Sequence, residues 1–135
     1  MSKSGVPVVE RPSATLDPAL QRILDETLGP SRNLLYCTAC GTPITNEEAR
    51  IEVGGSHAHH FSNPFGIQFH IGCFSQAPGC SVLGPPQHAD SWFPQHLWRL
   101  AACSACNGHL GWCFEHAVNA EVAPFFGLIV ERLRH

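Results

Sequence analysis

The residues best able to do chemistry in this chain are its seven cysteines, four of which form two Cys-x-x-Cys pairs. The first pair is Cys37 and Cys40, and the second is Cys103 and Cys106. A spacing of two residues lets both thiolates of a pair face one ion, and four thiolates complete a tetrahedral shell around zinc. Such a shell has no open position for water or substrate. The sequence therefore predicts one zinc ion with a structural role and no part in catalysis.

A glycine follows closely on each pair, Gly41 after the first and Gly108 after the second. We expect both glycines to adopt the positive φ of the turn that aims backbone N–H groups at sulfur. The odd number of cysteines and the lack of a secretory signal favour metal binding over a disulfide framework. Because the pairs lie far apart in the chain, the metal is expected to tie together two ends of a whole domain.

Three histidines, His57, His59 and His60, form a second cluster of possible ligands. Imidazole is a common metal ligand. Their order nevertheless lacks the helical spacing of metalloprotease ligands, and histidines in a turn-rich loop are more often solvated. We therefore assign these histidines no metal.

The three tryptophans of the chain, Trp92, Trp98 and Trp112, all lie close to the second cysteine pair in the sequence. An indole offers a large flat apolar face and one polar N–H, so several indoles together can wall a slot for a compact ligand. Composition alone favours another arrangement, in which the three rings pack in the core.

Short segments bounded by Gly, Pro, Asn or Asp must position these side chains. The segments typical of strands are 49–53, 67–74, 97–103, 110–115 and 125–133. They do not alternate with helices, so the pattern predicts a mainly β domain with antiparallel sheets.

The clearest helix precedes the first cysteine pair. Asp17 can cap its start, Pro18 suits its first position, and Gly29 follows its end. One face of this helix is apolar, with Leu20, Ile23, Leu24 and Leu28. We predict an N-terminal arm with this short helix over residues 1–30 and a zinc-containing domain over residues 31–135, on which the helix packs.

Composition excludes several classes of partner. The net charge is -3, and the eight Lys and Arg residues are not clustered. The sequence therefore predicts no basic patch that could bind nucleic acid or anionic lipid. No apolar run approaches the length of a membrane span, and residues 1–12 lack the apolar core of a signal peptide. We expect a single cytoplasmic domain without nucleic-acid or membrane partners.

From Cys37 onward the sequence resembles the thalidomide-binding domain of cereblon, also called the CULT domain. Besides both cysteine pairs, the matching segments are Asn63-Pro64 with Gly66, Leu83-Gly84, Ser91-Trp92-Phe93-Pro94, Trp98, His109 with Gly111, Trp112 and Phe114, and Phe126-Gly127-Leu128. The length and organisation are also similar to those of bacterial single-domain relatives of cereblon.

This resemblance implies two antiparallel sheets that meet at an angle, are held by zinc, and form a pocket walled by the three tryptophans. In the family this pocket holds a cyclic imide such as glutarimide. Carried over, the C=O of Asp90 and the N–H of Trp92 would bond the imide edge, and Phe114 would close the floor. The other pocket residues that the resemblance implies are Asn63, Pro64, Phe69 and Ser91.

The ligands implied by the resemblance are cyclic imides, uracil-like rings, and cyclic imides formed at damaged protein ends. Animal cereblon has His where Asp90 stands, a difference that adds negative charge near the pocket. Nothing in this sequence resembles the portion through which cereblon joins a ubiquitin ligase. The resemblance therefore implies ligand binding and not a substrate-receptor function.

Two enzyme classes remain open as alternatives. Methionine sulfoxide reductases of the B type are similar in fold and also carry two zinc-binding cysteine pairs, but they need a further reactive cysteine. The spare thiols here are Cys73, Cys80 and Cys113, and no Lys or Arg lies near Cys113 in the sequence to stabilise a thiolate. A cyclic-imide hydrolase would use His109 or Asp90 as a base, without an arranged partner. We predict a binding module and no catalysis.

Overall fold

The structure, a computed structural model, describes Ala19 and residues 33–135. Strands dominate this part of the chain, together with two short 3-10 helices, Glu47–Ala49 and Val130–Arg132. The strands are β1 (Leu34–Cys37), β2 (Pro43–Asn46), β3 (Ala58–Ser62), β4 (Gln68–Phe74), β5 (Cys80–Gln87), β6 (His96–Cys103), β7 (His109–His116), β8 (Phe125–Ile129) and β9 (Leu133–Arg134).

The strands form two sheets, and every neighbouring pair is antiparallel. The small sheet has the order β2-β1-β9, and the large sheet has the order β3-β4-β8-β7-β6-β5. The predicted class, a mainly β domain with antiparallel sheets, is confirmed. Among the described residues, no helix is both long and apolar enough to cross a membrane.

Three of the predicted strands, 67–74, 97–103 and 110–115, correspond to β4, β6 and β7 within one residue at each end. The prediction of one strand over 125–133 was wrong, because β8 ends at Ile129 and a 3-10 turn carries the chain into β9 of the other sheet.

The segment 49–53 was also wrongly predicted as a strand. The Asn46 side chain accepts a hydrogen bond from the Ala49 backbone N–H at 3.0 Å, and this cap starts the 3-10 helix Glu47–Ala49. The following residues form only isolated bridges, Arg50 to Phe74 and Val53 to Ser56. A side-chain cap thus takes the place of a strand ladder.

The histidine cluster does not lie in a turn-rich loop as predicted, since His59 and His60 are part of β3. His59 and Phe61 point to the half-buried side of this strand, whereas His60 is exposed and stacks on His70 of β4 at 4.2 Å. The predicted helix from Asp17 to Leu28 lies outside the described residues, apart from Ala19.

The core has two parts. One cluster joins the sheets through Leu35, Ile44, Phe74, Leu110 and Leu128, all of them buried. The second cluster lies within the large sheet and the loop before β6, and its members are Ile71, Cys73, Phe93, Phe114, Phe125 and Ile129. The tryptophans pack against this second cluster and are themselves only partly buried.

Gly127 of β8 lies very close to two side chains of the second core cluster, those of Phe114 and Ile71. A Cβ atom on Gly127 would lie 2.9 Å from the rings of Phe114 and from the end of Ile71. Glycine at this position therefore leaves the space that the Phe114 ring fills.

Candidate functional site

The four paired cysteines come together where the two sheets meet. Cys37 ends β1 of the small sheet, and Cys103 ends β6 of the large sheet. The sulfur atoms of Cys37 and Cys106 are 3.8 Å apart, those of Cys40 and Cys103 are 3.5 Å apart, and all four lie within 4.8 Å of one another. A tetrahedral site with metal–sulfur bonds of about 2.3 Å has sulfur–sulfur edges of about 3.8 Å. The four sulfurs can hold one metal ion.

Both cysteine pairs have the same backbone turn. The Gly41 N–H donates to the Cys37 carbonyl at 2.8 Å, and the Asn107 N–H donates to the Cys103 carbonyl at the same distance. Gly41 has a φ of 80° and Asn107 a φ of 65°. The prediction was right for Gly41 and wrong for Gly108, because Asn, which tolerates this region, supplies the left-handed residue of the second turn. A Cβ on Gly108 would be 3.4 Å from the Cys106 sulfur, an ordinary van der Waals contact.

The surroundings of the thiols shift their pKa values in different directions. Burial raises the pKa of Cys103 to about 12, and it raises the pKa of Cys37 despite N–H groups of Cys40 and Ala39 that favour the thiolate. Burial acts in the same direction on Cys40, but the hydroxyl and N–H of Thr42 and the neighbouring thiols lower its pKa to about 7. A coordinated metal ion removes the protons of such thiols. This set of soft sulfur donors fits zinc and does not fit calcium or magnesium, which take oxygen.

A cavity of about 360 Å³ opens on the large sheet beside the tryptophans. We call this cavity and its lining the cage. The lining residues are Asn63, Pro64, Phe69, Asp90, Trp92, Trp98, Leu100, His109, Trp112 and Phe114. The volume lies in the range of small-molecule sites. The structure thus brings together eight of the nine residues implied as ligand contacts.

Strand register sets the back wall of the cage. Trp98 of β6 pairs with Phe114 of β7, and Leu100 pairs with Trp112. Because alternate residues of a strand share a face, these four side chains lie on one side of the sheet. Phe69 joins them from β4.

The aromatic rings of the cage meet edge to face. Trp92 and Trp112 have centroids 4.7 Å apart at an angle of 74°, and Phe69 meets Trp112 at 5.2 Å and 81°. Phe61 of β3 stacks flat on Trp92 at 4.9 Å, outside the lining. One side of each indole therefore packs on the core while another faces the cavity, so the rings serve both of the roles that composition allowed.

Two of the indole N–H groups hold the loops of the cage. Trp92 Nε1 donates to the Ser62 carbonyl at 3.2 Å, and Trp98 Nε1 donates to the Ala89 carbonyl at 2.8 Å. In the part of the chain that the structure describes, no residue accepts a hydrogen bond from Trp112 Nε1. Trp112 thus keeps an open donor in the lining of the cavity.

The loop before β6 leaves backbone groups open as well. Asp90 has a φ of 58°, which turns the chain sharply before Trp92. Among the described residues, none bonds to the Asp90 C=O or the Trp92 N–H. Ser91 does not line the cavity, and its hydroxyl donates to the Phe93 carbonyl at 3.2 Å. Ser91 shapes the loop through this bond.

The mouth of the cage is bordered by the β3–β4 hairpin. Asn63 Oδ1 accepts hydrogen bonds from the Phe65 and Ile67 N–H groups at 3.0 and 2.9 Å, which fixes the turn and Pro64 beside it. Sequence reasoning missed Leu100 as a lining residue. Its position two residues after Trp98 on one strand was the pattern that could have revealed it.

Comparison with known proteins identifies relatives of this chain by sequence. No family model matches the chain. The chain is 34% identical over 99 residues to protein cereblon of Danio rerio. It is 35% identical over 99 residues to protein cereblon of Xenopus tropicalis. Both alignments cover 70% of the chain and 22% of the relative. Protein cereblon of Drosophila virilis is 26% identical over 126 residues, or 84% of the chain and 18% of the relative. The chain belongs to the family of cereblon-like CULT domains. It spans about a fifth of the length of these relatives.

The spare thiols of this CULT domain lie outside the lining of the cage. Burial raises the pKa of Cys73 and of Cys113 to about 11 and that of Cys80 to about 12. Arg99 pairs with Cys113 across β6 and β7, a cation that the sequence did not reveal, but burial and Glu115 outweigh its effect. These three thiols are protonated at neutral pH and are therefore poor nucleophiles.

Proposed function

We propose that this CULT domain is a binding module that captures a cyclic imide in its cage and does not change it chemically. The observation that carries the proposal is the pair of open backbone groups, the Asp90 C=O and the Trp92 N–H, beside an aromatic cavity. A cyclic imide carries its N–H between two carbonyls on one edge and methylenes on the other. The imide edge suits the open donor and acceptor, and the methylenes suit the rings.

The ligand class follows from this edge. Glutarimide, uracil-like rings and cyclic imides at damaged protein ends all present it, so each is a candidate ligand. A ligand of roughly ten heavy atoms, bound below the ceiling of about 1.5 kcal/mol per atom, reaches micromolar affinity. We propose weak and reversible capture, and the size of the cavity supports a single ring.

The ion in the four-cysteine centre is proposed to be zinc with a structural role. Four sulfur donors leave no position for water or substrate, which supports this role. Reduced thiols at seven positions suit a reducing compartment such as the cytoplasm, where we propose that the domain acts.

Intrinsic fluorescence can test the proposal, since all three tryptophans of the chain line the cage. Purified protein is titrated with glutarimide and with uridine, and N-methylglutarimide, which lacks the imide N–H, serves as the ligand control. We expect saturable quenching by the first two compounds and a loss of at least tenfold in affinity for the third. Val118→Ala, at an exposed position outside the cage, is the matched protein control.

The same samples separate a binder from an enzyme. Nuclear magnetic resonance of the ligand after a day with the protein is expected to show unchanged glutarimide. Cys113→Ser is expected to bind glutarimide as the parent chain does. Absence of binding in a folded, metal-loaded sample contradicts the proposal, and so does turnover of the ligand.

A further inference from the structure

His109 is a lining residue of the cage whose role the proposed function leaves open. It begins β7, three residues after the last cysteine of the metal centre. Its ring meets Trp112 edge to face, with centroids 4.9 Å apart at 88°. The imidazole is thus next to the indole that keeps an open N–H.

One hydrogen bond determines the tautomer of this ring. His109 Nε2 lies 2.9 Å from the carbonyl of Gly111. A carbonyl oxygen only accepts, so Nε2 carries the hydrogen, and a neutral imidazole then presents Nδ1 as an acceptor. Burial lowers the pKa of His109 and outweighs the hydrogen bond to Gly111, which raises it; the nearby Arg132 also lowers it, so the neutral ring is favoured at pH 7. Within the described residues, no group donates to Nδ1.

The ring is also held in place. The guanidinium of Arg132 donates to the His109 carbonyl at 2.6 Å, which fixes the backbone at the start of the strand. Gly111 holds one ring nitrogen, and Trp112 supports the ring. An acceptor held in this way needs little reorganisation to bind a ligand.

We infer that Nδ1 of His109 accepts a hydrogen bond from the ligand and so selects those cyclic imides that carry a second N–H donor outside the imide edge. This inference rests on the proposed function. Glutarimide has a single N–H. Two sources of a second donor are a ring N–H, as in dihydrouracil, and an exocyclic amide N–H, as in 3-acetamidopiperidine-2,6-dione, which represents a cyclized protein end.

Matched ligand pairs test this inference by calorimetry. Dihydrouracil is compared with glutarimide, where N–H replaces one ring methylene, and the acetamide is compared with its acetoxy ester, which lacks the N–H. For each pair we take the ratio of the affinity of the compound with the second N–H to the affinity of its partner. For at least one pair we expect this ratio to be larger in the parent chain than in His109→Phe. One hydrogen bond corresponds to a factor of roughly 2 to 10 between the two ratios. The pair that shows the factor identifies the source of the donor.

Three further variants keep the test decisive. Leu100→Ala removes an apolar lining residue and is expected to weaken both members of a pair equally. His109→Asn retains a polar atom near the position of Nδ1 and His109→Gln one near Nε2, so only the Asn variant should keep the preference. This contrast stands even if His109→Phe folds poorly.

Equal ratios in the parent chain and in the His109 variants, for both pairs, overturn the inference. Glutarimide would still bind in that case, and the proposed function would stand. Failure of every imide to bind the parent chain contradicts the proposed function itself.

Discussion

The metal centre and the cage differ in how their polar groups are used. In the metal centre the N–H groups of Gly41 and Asn107 are bonded within their own turns, and others favour the thiolate of the first cysteine. In the cage, the Trp92 N–H, the Asp90 C=O and Trp112 Nε1 lack partners among the described residues. The metal centre thus bonds its backbone groups within the domain, whereas the proposed ligand site leaves polar groups without partners among the described residues.

The two regions nevertheless share strands. β6 carries Trp98 in the cage and ends at Cys103 in the metal centre, and β7 starts just beyond Cys106 and carries Trp112. The cage therefore depends on the metal centre for the positions of its walls. The metal centre, made of turns at the strand ends, does not depend on the cage in the same way.

Removal of the metal has the largest expected effect. Structural zinc sites contribute about 10 kcal/mol or more, which matches or exceeds the roughly 5 to 15 kcal/mol that stabilises a small domain. Chelation, or Cys103→Ser, should therefore unfold the domain at 25 °C and abolish ligand binding together with it. Circular dichroism melts and metal analysis measure both changes. Cys73→Ser, a buried thiol outside the metal centre, is the control and should keep its metal. A metal-free domain with an unchanged melting temperature contradicts the prediction.

The second prediction concerns the cage alone. Trp112→Ala removes a wall that contacts Trp92 and Phe69, and we expect the affinity for glutarimide to fall on the order of 100-fold. The metal content should stay at one ion per chain, because Trp112 lies outside the cysteine turns. Calorimetry measures the affinity for glutarimide, and metal analysis of the same preparation measures the metal content. If Trp112→Ala lost metal in proportion to its loss of ligand affinity, the metal centre would depend on the cage, and the prediction would be wrong.

The sequence indicated both regions because their chemistry is local. Two cysteines with two residues between them fix a metal turn, and tryptophans near one another in the chain remained near in space. One other feature depended on which of two neighbouring residues adopted a positive φ. At the second turn both Asn107 and Gly108 can adopt positive φ, and the residue directly after Cys106 took that role, as Gly41 does after Cys40.

The remaining errors came from contacts made across the fold. β1 pairs with both β2 and β9, β9 pairs with β1, and neither β1 nor β9 is long enough for an alternating pattern to appear in the sequence. The break after Ile129 reflects the move of the chain from one sheet to the other, which hydrophobicity alone does not mark. Likewise, Arg99 is opposite Cys113 only through strand register.

Two glycine variants compare the cage with the small sheet, and their expected effects are intermediate in size. Gly127→Ala places a Cβ 2.9 Å from Phe114 in the floor of the cage, and Gly79→Ala places one 2.1 Å from the Pro43 carbonyl in the small sheet. Both should lower the stability, by about 1 to 3 kcal/mol or more. Only Gly127→Ala should also weaken glutarimide binding by the folded protein, by a few fold. Denaturant unfolding and calorimetry measure the two effects. Equal affinities in the two variants would show that the floor of the cage adapts freely.

Acidification gives the smallest expected effect, which is a change in the ligand preference. Burial and the charge of Arg132 hold the pKa of His109 below its ordinary value near 6.5. At neutral pH the ring is therefore neutral and Nδ1 accepts; as the pH falls through the lowered pKa, Nδ1 gains a hydrogen and becomes a donor. The preference for a second ligand donor should be largest at neutral pH and decline as the pH falls through the lowered pKa of His109. Its full size is a factor of roughly 2 to 10.

Calorimetry with the matched ligand pairs from pH 7.5 down to pH 5 follows this change, with metal content checked at each step. Asp90 is the carboxylate that lines the same cavity, so Asp90→Asn is the control for its side chain. The Asn variant should keep the pH dependence, and His109→Phe should lose it. A preference that does not fall on acidification would mean that a group other than the neutral imidazole accepts the second donor of the ligand. In that case the open acceptor would not be what distinguishes the cage from the metal centre.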